Sequence, residues 1–313
     1  MTLKTYQSLN EFNPSKKTIV TLGTFDGVHL GHNVILDKIC NIAKQENLES
    51  VLLTFFPHPR LIVSNDSEIK MLNTMAEKAM LLEQKGIQNF IIHPFDKLFS
   101  ELSPREFVEK VLVNQLNIQK IIIGYDHKFG KNRAADFNDL IAFGKEFGFE
   151  VEEISAKQIN EVSISSTKIR NSLLEGNISL ANSYLGYSYM LSGIVAKGNQ
   201  LGRTIGFPTA NIKISENYKL IPKNGVYIVT TIVNNQTVFG MMNIGIKPTL
   251  GDNVPTIEVH LLEFSEDIYG QEIQVNVVDR LRDEQKFETF EALKSQLEID
   301  KTNTLDYFKN GNS

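Results

Sequence analysis

Between residues 18 and 155, five short apolar runs alternate with four stretches of helical period, and this alternation restricts the fold more than any other feature. The runs cover 18–22, 50–55, 89–92, 120–124 and 150–154; the helical stretches cover 33–44, 75–85, 104–115 and 137–147. Ser103, Pro104 and Glu106 make a strong helix start: a capping hydroxyl, a proline in the first turn and an early acid. Strands this apolar, separated by helices, have both faces covered, which predicts a mostly parallel α/β sheet of Rossmann-like form with helices on both sides. Such a sheet takes its ligand at the carboxyl ends of its strands.

The loop after the first run is Gly23-Thr24-Phe25-Asp26-Gly27-Val28-His29-Leu30-Gly31-His32. Gly23, Gly27 and Gly31 let the backbone bend close to a phosphate, and the N–H groups of the following helix add partial positive charge. His29 and His32, two of the chain's 6 histidines, converge on the same turn. Neutral or protonated, they can hydrogen-bond a triphosphate and stabilise charge developing at phosphorus. A glycine-rich turn with incidental histidines is the plainer alternative. The loop after the second run, Phe55-Phe56-Pro57-His58-Pro59-Arg60, is either a proline-stiffened turn with core aromatics or a platform for a flat ring. After the fourth run, residues 124–133 crowd glycines, Asp126 and several cations, as a solvated polar loop or a phosphate-recognising one. Ser165, Ser166 and Thr167, with Lys168 and Arg170, read as a helix cap or as an anion site at a helix N-terminus.

Past Gly186 the helical period nearly vanishes. Strand-like runs at 189–195, 209–213, 225–233, 236–245, 256–262 and 272–278, punctuated by Gly, Asn and Pro, predict a small antiparallel barrel. A helix at 178–185 precedes it and one at 289–298 follows. The domains expected are 1–186 and 187–313. In the second, Gly198, Gly202, Gly206 and Arg203 can wrap a polyphosphate. No Gly-Lys-Ser/Thr follows, so this is not a Walker loop. Thr209 and Asn211 share one face of an extended strand, either as plain solvent face or as neutral oxygens completing a Mg²⁺ shell. Glu258 lies central on the polar face of 256–262, either solvated or placed as a general base. Arg280, Arg282, Asp283 and Glu284 read as an ordinary charged strand exit.

With 313 residues, a hydrophobic content of 42% and a charged content of 22%, the chain has material for two ordinary globular cores. The net charge of −5 gives no general affinity for nucleic acid. No apolar run reaches the ~18–20 residues that span a bilayer. Cys40, the single cysteine, falls on an apolar helix face as a core residue. With no leader visible, the expected compartment is the cytoplasm, and the expected state a monomer or weak homo-oligomer.

The first loop resembles the His-x-Gly-His signature of nucleotidyltransferases, in the extended form found in prokaryotic bifunctional riboflavin kinase/FAD synthetases. Three further stretches of the first half resemble the same family: Phe55 to Arg60; Gly124, Asp126, Phe129, Gly130, Arg133 and Asp136; and Ile164-Ser165-Ser166-Thr167-x-Ile169-Arg170. His127 stands where Phe is usual and Ala135 where Gly is usual, the latter expected to alter the loop's path. In the second half, Gly202-Arg203-x-x-Gly206-Phe207-Pro208-Thr209-Ala210-Asn211, Gly225-Val226-Tyr227, Asn243-Ile244-Gly245-x-x-Pro248-Thr249, Glu258 and Tyr269-Gly270 resemble the riboflavin kinase domain. The resemblance implies two ATP-dependent steps: riboflavin to FMN in the barrel, and FMN to FAD with release of pyrophosphate in the first domain. It implies ATP and phosphate contacts at Gly23, Thr24, Phe25, Asp26, Gly27, Gly31, Ser166, Thr167, Gly198, Gly202 and Arg203. It implies flavin contacts at Phe56, Pro57, His58, Pro59, Arg60, Asp126, Phe129 and Arg133. Catalytic groups would be His29, His32, Arg170 and Glu258, with Mg²⁺ on Thr209 and Asn211. Rival readings are a kinase whose first domain has lost adenylylation, a nucleotidyltransferase for another phosphorylated substrate, and a flavin or nucleotide sensor without turnover.

Overall fold

The computed structural model describes residues 2–63, 69–125, 127–155, 164–197, 201–246 and 255–311. Asp126, Gly198, Pro248 and Thr249 lie outside the described residues. The chain forms two compact units, 1–165 and 166–313.

The first unit is a six-stranded parallel sheet built from β1 (Lys4–Tyr6), β2 (Thr18–Leu22), β3 (Glu49–Phe56), β4 (Asn89–Pro94), β5 (Ile118–Gly124) and β6 (Glu150–Ile154). Its helices are α1 (Leu30–Gln45), α2 (Pro59–Val63), α3 (Met75–Lys85), α4 (Lys97–Ser100), α5 (Pro104–Glu106) and α6 (Phe137–Phe147). The turn of α5 runs on as a π-helix over Phe107–Gln115. Strand order is β1-β4-β3-β2-β5-β6. The order reverses between β2 and β5, so the loops after these strands flank a crevice at the switch point. Val20, Leu22, Val51, Leu53, Ile121 and Ile123 turn one sheet face into a core with Val108, Val111 and Leu112. The alternate residues Ile19 and Leu52, also fully buried, face the opposite side.

The five expected strands are all present, and β1 is an addition. Three residues long and mostly exposed, it has no apolar pattern to announce it. The first helix begins at Leu30 instead of residue 33, because His29 serves as its N-cap and Gly31 falls inside its first turn.

The second unit opens with the helices α7 (Ser166–Glu175) and α8 (Ile178–Leu185) and then a closed barrel. Its strands are β7 (Tyr189–Ala196), β8 (Ala210–Lys213), β9 (Gly225–Val233), β10 (Gln236–Ile246), β11 (Pro255–Leu261) and β12 (Glu272–Arg282), with α9 (Leu201–Thr204) inserted and α10 (Phe290–Lys309) at the end. Strands follow the order β10-β11-β8-β7-β12-β9, antiparallel throughout. Apolar side chains such as Met242, Ile244, Ile257, Val259 and Val275 are buried in alternation along the strands and fill the barrel. The α7–α8 pair is tied to it: Lys223 N donates to the Leu173 carbonyl (3.0 Å), and Asn182 Nδ2 donates to the carbonyls of Val277 and Val278.

Two expectations need correction here. The last helix runs to Lys309, well beyond residue 298. Arg280 and Arg282 are no ordinary charged exit. Arg282 forks onto the buried Asp300 of α10 (3.0 and 2.7 Å), and Arg280 donates to the Asn224 carbonyl and to Asp283 (2.8 and 2.6 Å).

Candidate functional site

The β2–α1 loop turns sharply where β2 ends. Gly27 has φ +88°, as glycine allows, but Phe25 (φ +42°) and Val28 (φ +36°) also occupy positive φ, where side chains crowd the backbone. Strain of this kind persists only where neighbours hold it, and here they do. Lys78 Nζ donates to the Thr24 carbonyl (2.6 Å), Leu72 N donates to Asp26 Oδ1 (2.9 Å), and Val28 N donates to the Phe25 carbonyl (3.2 Å). The result is a ring stack. His29 and His32 lie nearly parallel with centroids 3.7 Å apart, and Phe25 backs His32 at 4.6 Å. His29 Nδ1 accepts the His32 N–H (3.4 Å), capping α1.

Burial sets the charge state. It lowers His29 to about 4 against the pull of Asp26, and it lowers His32 well below the usual histidine range, helped by the positive charges of His29 and Lys78. Both imidazoles are therefore neutral at pH 7, which decides between the two protonation states the sequence left open. Among the described residues His32 Nδ1 is buried without a hydrogen-bond partner, so it keeps a polar atom in reserve. Asp26, expected as a phosphate contact, is itself buried and accepts the Leu72 N–H.

The β3 loop places Phe55 and Phe56 differently. Phe55 is in the core, edge-on to Phe95 and close to Phe99, while Phe56 is half-buried. The Phe56–Pro57 peptide is cis, and Pro59 opens α2 instead of extending the loop. His58 is buried, its Nδ1 accepting the Arg60 N–H (3.2 Å), and the Arg60 side chain is exposed. Across the switch point, Phe129 is buried against Phe107 and pairs with Ala135 in an antiparallel bridge (N···O 3.0 and 3.2 Å). Positive φ in this loop falls at Gly130, Asn132 and Arg133. Ala135 is not among them. His127 keeps its ring parallel to Phe129 at 6.3 Å.

Ser166, Thr167 and Arg170 lie in the first turns of α7; Thr167 is exposed, and Ile169 between them is buried in the second unit.

In the barrel, the decisive feature is register. Glu258 on β11 stands directly opposite Asn211 on β8 and Asn243 on β10. Directly opposed residues share a face. All three are partly exposed while Ile212, Ile244, Ile257 and Val259 around them are buried, so the row lies on the outer wall of the barrel and not in its interior. Thr209 precedes β8 and is also partly exposed. The glycine segment before it is partly a helical turn: α9 carries an exposed Arg203, and Phe207 N donates to the Gly202 carbonyl (2.8 Å). A Cβ at Gly202 would collide with the Phe207 carbonyl. His260, on the Glu258 face, donates from Nδ1 to the Pro208 carbonyl (2.7 Å) and meets Phe207 edge-on at 5.1 Å. It therefore fixes the backbone just before Thr209, a task its position on the strand does not reveal. Lys78 and Asn243 were likewise given no task by the sequence.

Residues 12–168 match the family model described as FAD synthetase, and residues 185–308 the one described as riboflavin kinase. The bifunctional riboflavin kinase/FMN adenylyltransferase of Listeria monocytogenes is 40% identical over 292 residues, covering 93% of this chain and 92% of that one. The proteins of the same description from Bacillus subtilis and Escherichia coli K12 are 37% and 34% identical, each over 94% of this chain and 93% and 94% of their own. A crystal structure described as a macrolide-efflux protein from Streptococcus pneumoniae superposes with a TM-score of 0.87 at 29% identity, over 97% of this chain and 99% of that one.

Proposed function

Because this chain belongs to the bifunctional riboflavin kinase/FMN adenylyltransferases, making FMN from riboflavin and then FAD from FMN, we propose which of its residues carry each reaction. In adenylyl transfer the nucleophile is the FMN phosphate, already an anion at neutral pH, so no strong base is needed. His29 and His32 act as neutral hydrogen-bond donors to the ATP phosphates, at the positive end of α1, on the loop formed by Gly23, Thr24, Phe25, Asp26, Gly27 and Gly31. Ser166, Thr167 and Arg170 bind phosphate oxygens, as two hydroxyls and a guanidinium at a helix N-terminus are suited to do. Phe56, Pro57, His58, Pro59, Arg60, Phe129 and Arg133 serve the flavin. The observation that carries this half is the neutral, stacked histidine pair at the switch point.

In the kinase half, Glu258 accepts the proton of the ribityl 5′-hydroxyl as it attacks the γ-phosphorus of ATP. Gly202 and Arg203 lie along the phosphates. Thr209 and Asn211 offer two neutral oxygens on the outer wall beside Glu258, a donor set suited to Mg²⁺ whose remaining ligands are water and ATP oxygens. Bound there, the ion would neutralise charge on the phosphates. We assign 1–186 and 187–313 as the functional domains, a division supported by the kinase match beginning at residue 185, with α7 and α8 belonging by sequence to the first domain while packing in the compact unit of the second. We place the enzyme in the cytoplasm as a monomer or weak homo-oligomer, handling soluble nucleotides and flavins; among the described residues no helix is long and apolar enough to cross a membrane.

The test is separation of the two activities in the full-length chain. His29→Ala lowers FAD formation from FMN by at least ~100-fold while FMN formation from riboflavin is unchanged. Glu258→Gln does the reverse, by ~100-fold or more. Parallel loss of both activities in either variant would count against two independent sites.

A further inference from the structure

Lys78 is fully buried in the second half-turn of α3, directly beneath the β2–α1 loop. A lysine in the interior is costly unless its charge is used. Its ammonium donates to the Thr24 carbonyl, which Thr54 Oγ1 also approaches (3.4 Å), and it is attracted by the buried Asp26 carboxylate. The same approach to α3 supplies Leu72 N, which holds Asp26 Oδ1. Thr24 and Asp26 are thus clamped from one side, and the residue between them is Phe25, held at φ +42° with its ring against His32. Lys78 also lies close enough to His32 to oppose its protonation.

We propose that Lys78 is a positioning residue for adenylyl transfer: through the Thr24 carbonyl it fixes Phe25, and through Phe25 the His32–His29 stack. The proposal rests on the histidine pair being the adenylylation site. The titratable groups acting at this point are Asp26 from the loop, His32 from α1, and His29 stacked on His32; burial brings Lys78 down to about 8. The ammonium is therefore present below pH 8 and lost above it, where the clamp on Thr24 weakens.

The experiment follows FAD formation from FMN, ATP and Mg²⁺ between pH 6.5 and 9.5 in the full-length chain, with FMN formation from riboflavin measured on the same samples. In the wild type, kcat for FAD falls as pH rises through about 8. Lys78→Met lowers kcat at pH 7 by ~10- to 100-fold, leaves KM for FMN within about twofold, keeps kinase activity, and shows no fall near pH 8. Lys78→Arg, which retains its charge, keeps its activity to higher pH than the wild type. A wild-type profile flat through pH 9, or a Met variant with wild-type kcat at pH 7, overturns the proposal. So does a fall near pH 8 that survives in the Met variant. If Lys78→Met loses both activities through misfolding, the wild-type and Arg profiles decide alone. A wild type forming no FAD at any pH would instead overturn the adenylylation reading itself.

Discussion

His29 titrates near 4 in the folded chain and near 6.5 when unfolded, so between those values the unfolded state binds more protons. Stability is therefore complete above pH 6.5 and falls as pH drops toward 4, by roughly 3 kcal/mol from this one group. Urea midpoints measured from pH 7.5 to 4.5 are expected to decline over that window, and to decline less in His29→Asn. The histidine pair was legible because two of few histidines crowd one glycine-rich turn. Lys78 was not, since a lone lysine reads as solvent face. A signal was nevertheless present: it precedes Leu81 and Leu82 by three and four residues, which places it on the buried stripe of α3 together with Glu77.

Among the elements, α10 shows what hydrophobic period cannot reveal. Its buried residues are Asp300 and Thr304, and it is held by the Arg282 fork and by Phe308 stacked on Phe239 at 4.0 Å, while Gln296 Nε2 donates to Asp300 within the helix (2.9 Å). A helix fastened through a buried carboxylate lacks the apolar stripe that would extend it past residue 298. Arg282→Met leaves Asp300 buried without its guanidinium and is expected to cost about 3 kcal/mol, with early amide exchange in α10. Adding Asp300→Leu is expected to recover part of that loss. The parallel sheet, by contrast, was readable because strands covered on both faces must be apolar throughout. The edge strands depart from that rule: β1, recruited by β4, is mostly exposed, and β6 carries three glutamates among its five residues.

For the whole molecule, the change of texture near Gly186 separated helix-covered sheet from barrel, and the two kinds of chemistry follow that division. A mixture of His29→Ala and Glu258→Gln chains is expected to turn riboflavin into FAD, each supplying the step the other lacks; no FAD in the mixture would mean that FMN does not pass between chains. What the sequence could not show is that Glu258 is brought into one row with Asn211 and Asn243 on the barrel's outer wall, because alternation sets the face of each strand but not its register against its neighbours. The closed strand order also bears on synthesis. The sheet of the first unit is complete once Ile154 has left the ribosome, whereas β7 gains its second neighbour only when β12 emerges, after β8 to β11 have been made. Until then the nascent barrel carries an open hydrogen-bonding edge. A message cut short before Glu272 would therefore release a chain with a finished first sheet and an adhesive second half, which makes the last strand the point at which the polypeptide becomes safe to release.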